Sequence, residues 1–130
     1  MSAKEKGIKA ANKYLQKGQI DKAIREYEKL LKSNSRDPRL RHKYAELLAR
    51  KGSRDEALGE FGWVASYYEQ GGFFPKAIAI YKQMLGIDPE NADIHLQLGE
   101  IYQQQGKVSD AAQHFRKVTS HVESGGTLRD

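Results

Sequence analysis

Apolar residues recur along this chain at helical spacing, and the pattern is interrupted four times by glycine. Gly18, Gly52, Gly72 and Gly106 are each followed five residues later by alanine: Ala23, Ala57, Ala77 and Ala111. Four residues beyond each alanine stands an aromatic, Tyr27, Phe61, Tyr81 or Phe115. Three further on comes Leu30, Val64, Met84 or Val118. Ahead of the glycines run matching stripes: Ala10, Ala11 and Tyr14; Tyr44, Ala45 and Leu48; Val64, Ala65 and Tyr68; Leu98, Gly99 and Tyr102. Steps of three, four and seven place such residues on one face of a helix. Each glycine ends a first helix, because a left-handed backbone costs it little. Asp21, Ser53 and Ser109-Asp110 then favour a new helix start. The unit is helix, tight turn, helix. Alanine lets the two helices approach, and the aromatic fills the space between hairpins.

The spacing of the glycines is uneven, running 34, then 20, then 34 residues. Twenty residues are too few for a hairpin and fit one long helix with its turn. The spacing therefore predicts seven helices, at about 4–17, 20–33, 38–51, 54–70, 74–86, 91–105 and 108–122, with the one at 54–70 shared between two repeats. Ala57, Leu58, Phe61, Val64, Ala65 and Tyr68 give that helix an apolar stripe, and Gly59, Gly62 and Ser66 a stripe of small residues. Trp63 and Tyr67 cover a third direction. A helix apolar on nearly every side is expected to be buried, with Gly59 and Gly62 either against a close neighbouring backbone or merely loosening the helix.

These columns resemble the tetratricopeptide repeat: small residues facing each other across the hairpin, a turn glycine, the alanine, the aromatic and a closing proline. Asp88-Pro89 is similar to the closing Asp-Pro of that family, and Leu98-Gly99 to its Leu-Gly pair. The resemblance spans roughly residues 4 to 122, and 34 residues is the family period. The family's first-helix tryptophan is replaced by Gly7, Arg41, Phe61 and His95, and Pro38 comes a few residues late. The resemblance implies an all-α solenoid of helical hairpins, one domain over residues 1–123, followed by a flexible tail at 124–130. It also implies a non-catalytic adaptor or scaffold that holds a peptide or helix of another protein in a concave groove.

Composition narrows the setting. Hydrophobic residues make up 38% and charged residues 30%, ordinary for a folded domain. No apolar run approaches the roughly 20 residues of a membrane helix, so no membrane insertion is expected. Without cysteine there are no disulfides, thiolate metal sites or cysteine nucleophile. No signal-peptide core follows Met1–Lys6, and a cytoplasmic location is the expectation. The formal net charge is +5, with most of the excess between Lys4 and Arg54. That favours an acidic partner segment. A basic nucleic-acid binder is a lesser alternative, since there is no arginine-rich tail.

Candidate chemistry is sparse. Of the four histidines, His42, His95, His114 and His121, the last two stand two turns apart with no acidic partner at ligand spacing, so they are expected to be plain surface histidines and not a metal site. Gly71-Gly72 matches no phosphate loop. No catalytic residue, metal or cofactor is expected. One branch of the resembled family grips chaperone C-termini with a Lys-Asn-Asn-Lys-Arg clamp. Asn12 alone matches it; Ile8, Lys43, Gly59 and Trp63 occupy the other positions, so this partner is not expected.

Carried onto this chain, the family's groove positions on the first hairpin are Ile8, Asn12, Leu15 and Gln16. The second hairpin supplies Arg39, His42, Lys43, Glu46 and Arg50. The helix near residue 98 supplies Asp93, Leu96, Gln97, Glu100, Gln103 and Gln104. Trp63 and Tyr67 are either core residues or interface aromatics. Phe115, Val118 and Val122 leave an apolar edge on the last helix, which is open to three explanations: further repeats of a longer protein, a docked partner, or a second copy in a homodimer.

Overall fold

The computed structural model describes residues 1–128; Arg129 and Asp130 of the expected tail lie outside the described residues. Seven helices run through the described residues: α1 (Ala3–Gln16), α2 (Ile20–Ser33), α3 (Pro38–Lys51), α4 (Arg54–Gln70), α5 (Phe74–Ile87), α6 (Ala92–Gln104) and α7 (Val108–Glu123). No boundary departs from the sequence expectation by more than one residue, and α4 is the single long helix expected at 54–70. The fold class is the expected one, all-α helical hairpins. No helix among the described residues is long and apolar enough to cross a membrane.

Each hairpin turn is built the same way. Gly18, Gly52, Gly72 and Gly106 adopt φ of 73°, 95°, 77° and 75°. The next N–H reaches back to a carbonyl five residues earlier: Gln19 to Tyr14 at 2.8 Å, Ser53 to Leu48 at 2.9 Å, Phe73 to Tyr68 at 2.8 Å and Lys107 to Tyr102 at 2.9 Å. This bond satisfies a helix-end carbonyl and reverses the chain within three residues. The helices start where expected, but two of the expected starter residues do not act as caps. Gln19 and Lys107 cap α2 and α7 without a side-chain bond, while Asp21 and Asp110 lie inside the first turn. There they favour the helix through its positive N-terminal end. Side-chain caps appear where a longer segment enters: Ser2, Asp37 and Asn91.

The chain forms two compact units, residues 1–67 and 68–130, with the division inside α4. In the first unit α1 packs on α2 so closely that a Cβ on Gly7 would sit 2.6 Å from Leu30 Cδ2. Ala11, Ala23, Tyr27, Leu40, Leu47, Leu48, Ala57 and Phe61 form its core. In the second unit the core is Ala77, Ile80, Tyr81, Met84, Leu98, Ile101 and Tyr102. There the Tyr81 hydroxyl donates to Glu69 Oε1 at 2.7 Å. Burial, then that bond and the nearby carboxylates of Glu69 and Glu100, raise the Tyr81 phenol well above its ordinary value.

The first three repeats bury alanine and aromatic completely, and the last does not. Ala111 is covered, but Phe115 and Val118 are only half-buried and Val122 is exposed. The expectation for α4 needs correction. Its apolar stripe is buried at Ala57, Phe61, Val64 and Ala65, but Gly59 is exposed and a Cβ there would meet nothing within 4 Å. The glycine accommodates no neighbouring backbone and only loosens the helix. Gly59→Ala is therefore expected to stabilise the protein by about 1 kcal/mol, read as a higher urea midpoint at unchanged m-value.

Candidate functional site

The two units differ sharply in charge. Residues 1–67 hold 16 Lys and Arg against 9 Asp and Glu, a formal +7. Residues 68–130 hold 6 against 8, a formal −2. The whole-chain excess thus understates a strongly basic first unit.

None of the expected groove residues is buried. On α1, Asn12 and Gln16 are exposed and Ile8 and Leu15 half-buried; on α3, Arg39 and Arg50 are exposed and Lys43 and Glu46 half-buried. His42 is partly turned to the interior, with its ring edge-on to Phe61 at 5.9 Å and its Nε2 4.0 Å from Glu46. In the second unit Asp93, Leu96 and Gln97 are half-buried, and Glu100, Gln103 and Gln104 exposed.

Concavity appears where the sequence reading placed only Arg39. An open hollow of about 630 Å³ is lined by Lys4, the segment Ser33–Asp37, Pro38 and Arg39. A second, of about 400 Å³, shares Lys4, Ser33 and Asn34 with it and adds Lys6, Gly7, Glu26, Lys29 and Leu30. The acids there are already engaged. Asp37 caps α3 through the N–H groups of Arg39 and Leu40 and pairs with Lys4. Burial alone would push its carboxyl up, but the bonds from Lys4, Leu40 and Arg39 prevail and hold it below the usual carboxylate range. Glu26 pairs with Lys29 at 3.4 Å. The outward charge of both hollows is therefore positive, with Lys6, Arg36 and Arg39 at the rim. The only sequence signal for this feature is the polar run Ser33-Asn34-Ser35-Arg36-Asp37-Pro38.

Arg41, in the column where the resembled family keeps tryptophan, organises the outer face of α4. Its Nη1 donates to Glu60 Oε2 at 2.7 Å, its Nε donates to the Ser35 carbonyl at 2.7 Å, and its guanidinium lies 4.7 Å from the centre of the Trp63 ring. Trp63 in turn stacks on Tyr67 at 5.4 Å. Trp63 is half-buried and Tyr67 is 38% exposed, so this aromatic pair is partly open to solvent.

His114 and His121, expected as surface histidines, are each half-buried. His95 is buried, with Nδ1 2.9 Å from His114 Nδ1 and Nε2 2.9 Å from the Pro89 carbonyl. Its place four residues before Gly99 and seven before Tyr102, on the buried stripe, was the available signal. Among the described residues no group of three or more His, Cys, Asp or Glu side chains is placed to hold a metal ion.

Models of the tetratricopeptide repeat match residues 8–62 and 72–122. No curated protein matches. Among solved structures, the chain is similar to MamA residues 41-end from Desulfovibrio magneticus RS-1, at 16% identity over 98% of this chain and 99% of that one, with a TM-score of 0.47. It is also similar to a tetratricopeptide repeat protein from Parabacteroides merdae ATCC 43184, at 21% identity over 92% of this chain and 54% of that one, with a TM-score of 0.46.

Proposed function

Because this chain belongs to the tetratricopeptide-repeat family, whose fold generally serves as a non-catalytic protein-interaction module, we propose that it is an adaptor or scaffold that captures an acidic segment of a partner protein on its first unit. The observation that carries the reading is the formal +7 of residues 1–67 beside hollows whose own carboxylates are already paired. Arg39, Lys43 and Arg50 on α3, with Asn12 and Gln16 on α1, are the proposed contacts. A positive surface speeds the encounter with an acidic segment and rejects basic ones. Leu96, Gln97, Glu100 and Gln104 on α6 are assigned to a second, less charged contact, and Trp63 and Tyr67, by themselves on the first unit, are assigned as interface aromatics. The cytoplasm is the proposed setting.

The test is capture from native lysate with the tagged chain, followed by affinity measurement on the purified partner. Arg39→Glu combined with Lys43→Glu is expected to weaken binding at least about tenfold at low salt, with an unchanged melting temperature because neither side chain is buried. Unchanged affinity would remove the basic face as the site. The exposure of Val108 and Val122 on α7 favours a second reading, a homodimer through that helix. A monomer whose sedimentation is independent of concentration would exclude it. If the captured partner is instead nucleic acid, affinity must fall steeply with salt.

A further inference from the structure

We propose that the His95–His114 pair is a pH-sensitive latch, which fastens α7 to α6 at neutral pH and loosens when the bridge takes up a proton. The argument is one of counting protons. The Pro89 carbonyl can only accept, so His95 Nε2, 2.9 Å away, must carry a hydrogen. Neutral His95 then has a bare Nδ1. It can accept only if His114 Nδ1, 2.9 Å away, is the donor. The bridge therefore fixes one tautomer on each ring. A proton added at His114 Nε2 keeps the hydrogen between the two Nδ1 atoms but brings a positive charge into a half-buried contact, and a hydrogen on both Nδ1 atoms would set two N–H groups head to head.

The surroundings decide how readily protons are taken up. His114 stacks on Tyr102 at 5.6 Å, and Lys107 lies over that same ring at 5.8 Å. Lys82 from α5 opposes a charged His114, and Asp110, one turn earlier on α7, favours it. On the intervening loop Glu90 is held by Lys117, and Asp88 accepts a hydrogen bond from Asn91. Burial first, then His95 and Lys82, hold the His114 ring below its ordinary 6.5. The sign follows. The opened form binds its proton at about 6.5, the closed form only below that, so stability is full above 6.5 and falls as pH drops beneath it. Opening uncovers Gly99 of α6, which lies directly under the Phe115 ring of α7.

The test is urea unfolding of the full chain between about pH 7.5 and about pH 5.5, a window that leaves most carboxylates ionised. A closed form that binds the His114 proton less readily than the open one predicts a fall of up to about tenfold in the folding equilibrium constant across it. His114→Phe keeps a ring on Tyr102 without a titrating nitrogen and is expected to flatten that fall, while His121→Gln is expected to leave it. Equal falls in the unaltered chain and His114→Phe would overturn the proposal. Should His114→Phe fail to fold, nitrogen-15 NMR of the unaltered chain decides. His95 must appear as the Nε2–H tautomer and His114 as the Nδ1–H tautomer, titrating below 6.5; the opposite tautomers, or His114 titrating at or above that value, overturn the latch.

Discussion

Leu98→Ala is expected to lower the stability of the second unit by about 2–5 kcal/mol, seen as a fall in the urea midpoint by circular dichroism. Leu98 is fully buried and ranks among the largest side chains with that property. Truncation removes the transfer free energy of three carbons and leaves a cavity that tightly packed helices refill poorly. The comparison that gives the measurement meaning is Val122→Ala. Val122 is 51% exposed on the last helix, and its truncation should fall within about 0.5 kcal/mol. Both residues belong to apolar helical stripes, so sequence alone treats them alike. Near-equal losses would contradict the unequal cover of α6 and α7 described above.

The parts of the fold legible in the sequence are those fixed by short-range physics. A glycine between two helical stripes has one backbone requirement, and all four turn glycines adopt the left-handed conformation it implies. The 20-residue interval was long enough for one helix and too short for two, which fixed α4 before any packing was known. Gly59 left two readings open because a glycine inside a helix carries no local mark of what faces it. The same apolar count suits a helix enclosed on all sides and one, like α4, that buries a stripe and leaves Tyr67 to solvent. The His95–His114 bridge joins residues 19 apart and depends on the register of α7 against α6, which periodicity does not contain. The hollows beside Lys4 join the start of α1 to the loop before α3, and only the packing of α1 and α3 on α2 brings those segments together.

Charge tells the same story at larger scale. The formal +5 of the chain is an average over +7 and −2, and the division was visible as a drift in the sequence before the two units gave it a boundary. Position within the helices then separates cations with structural work from those facing outward. Arg41 is held by Glu60, Ser35 and Trp63, whereas Arg39, two residues earlier, lies exposed at the rim of the hollow. Substituting Arg41 therefore confounds binding with folding, which is why the charge-reversal test uses Arg39 and Lys43.

Gly99→Ala is expected to cost about 1–3 kcal/mol, although alanine is intrinsically the better helix former by about 1 kcal/mol. A Cβ at this position would sit 2.5 Å from Cε1 and 2.7 Å from Cδ1 of the Phe115 ring, inside van der Waals contact. The ring must swing away or α7 must retreat from α6, and a retreat would strain the His95–His114 bridge as well. Phe115 is half-buried and has some room to yield, which sets the expectation below the cost of the Leu98 cavity. A double-mutant cycle identifies the cause. In a Phe115→Leu background the clash is relieved, so Gly99→Ala should lose most of its penalty, giving a coupling energy of at least about 1 kcal/mol. Additive effects would mean that the close approach of α6 and α7 at Gly99 is not what the glycine is for. The opposite sign at exposed Gly59, where the same substitution should stabilise, makes the pair a direct measure of how much helix propensity is worth against about an ångström of overlap in packing.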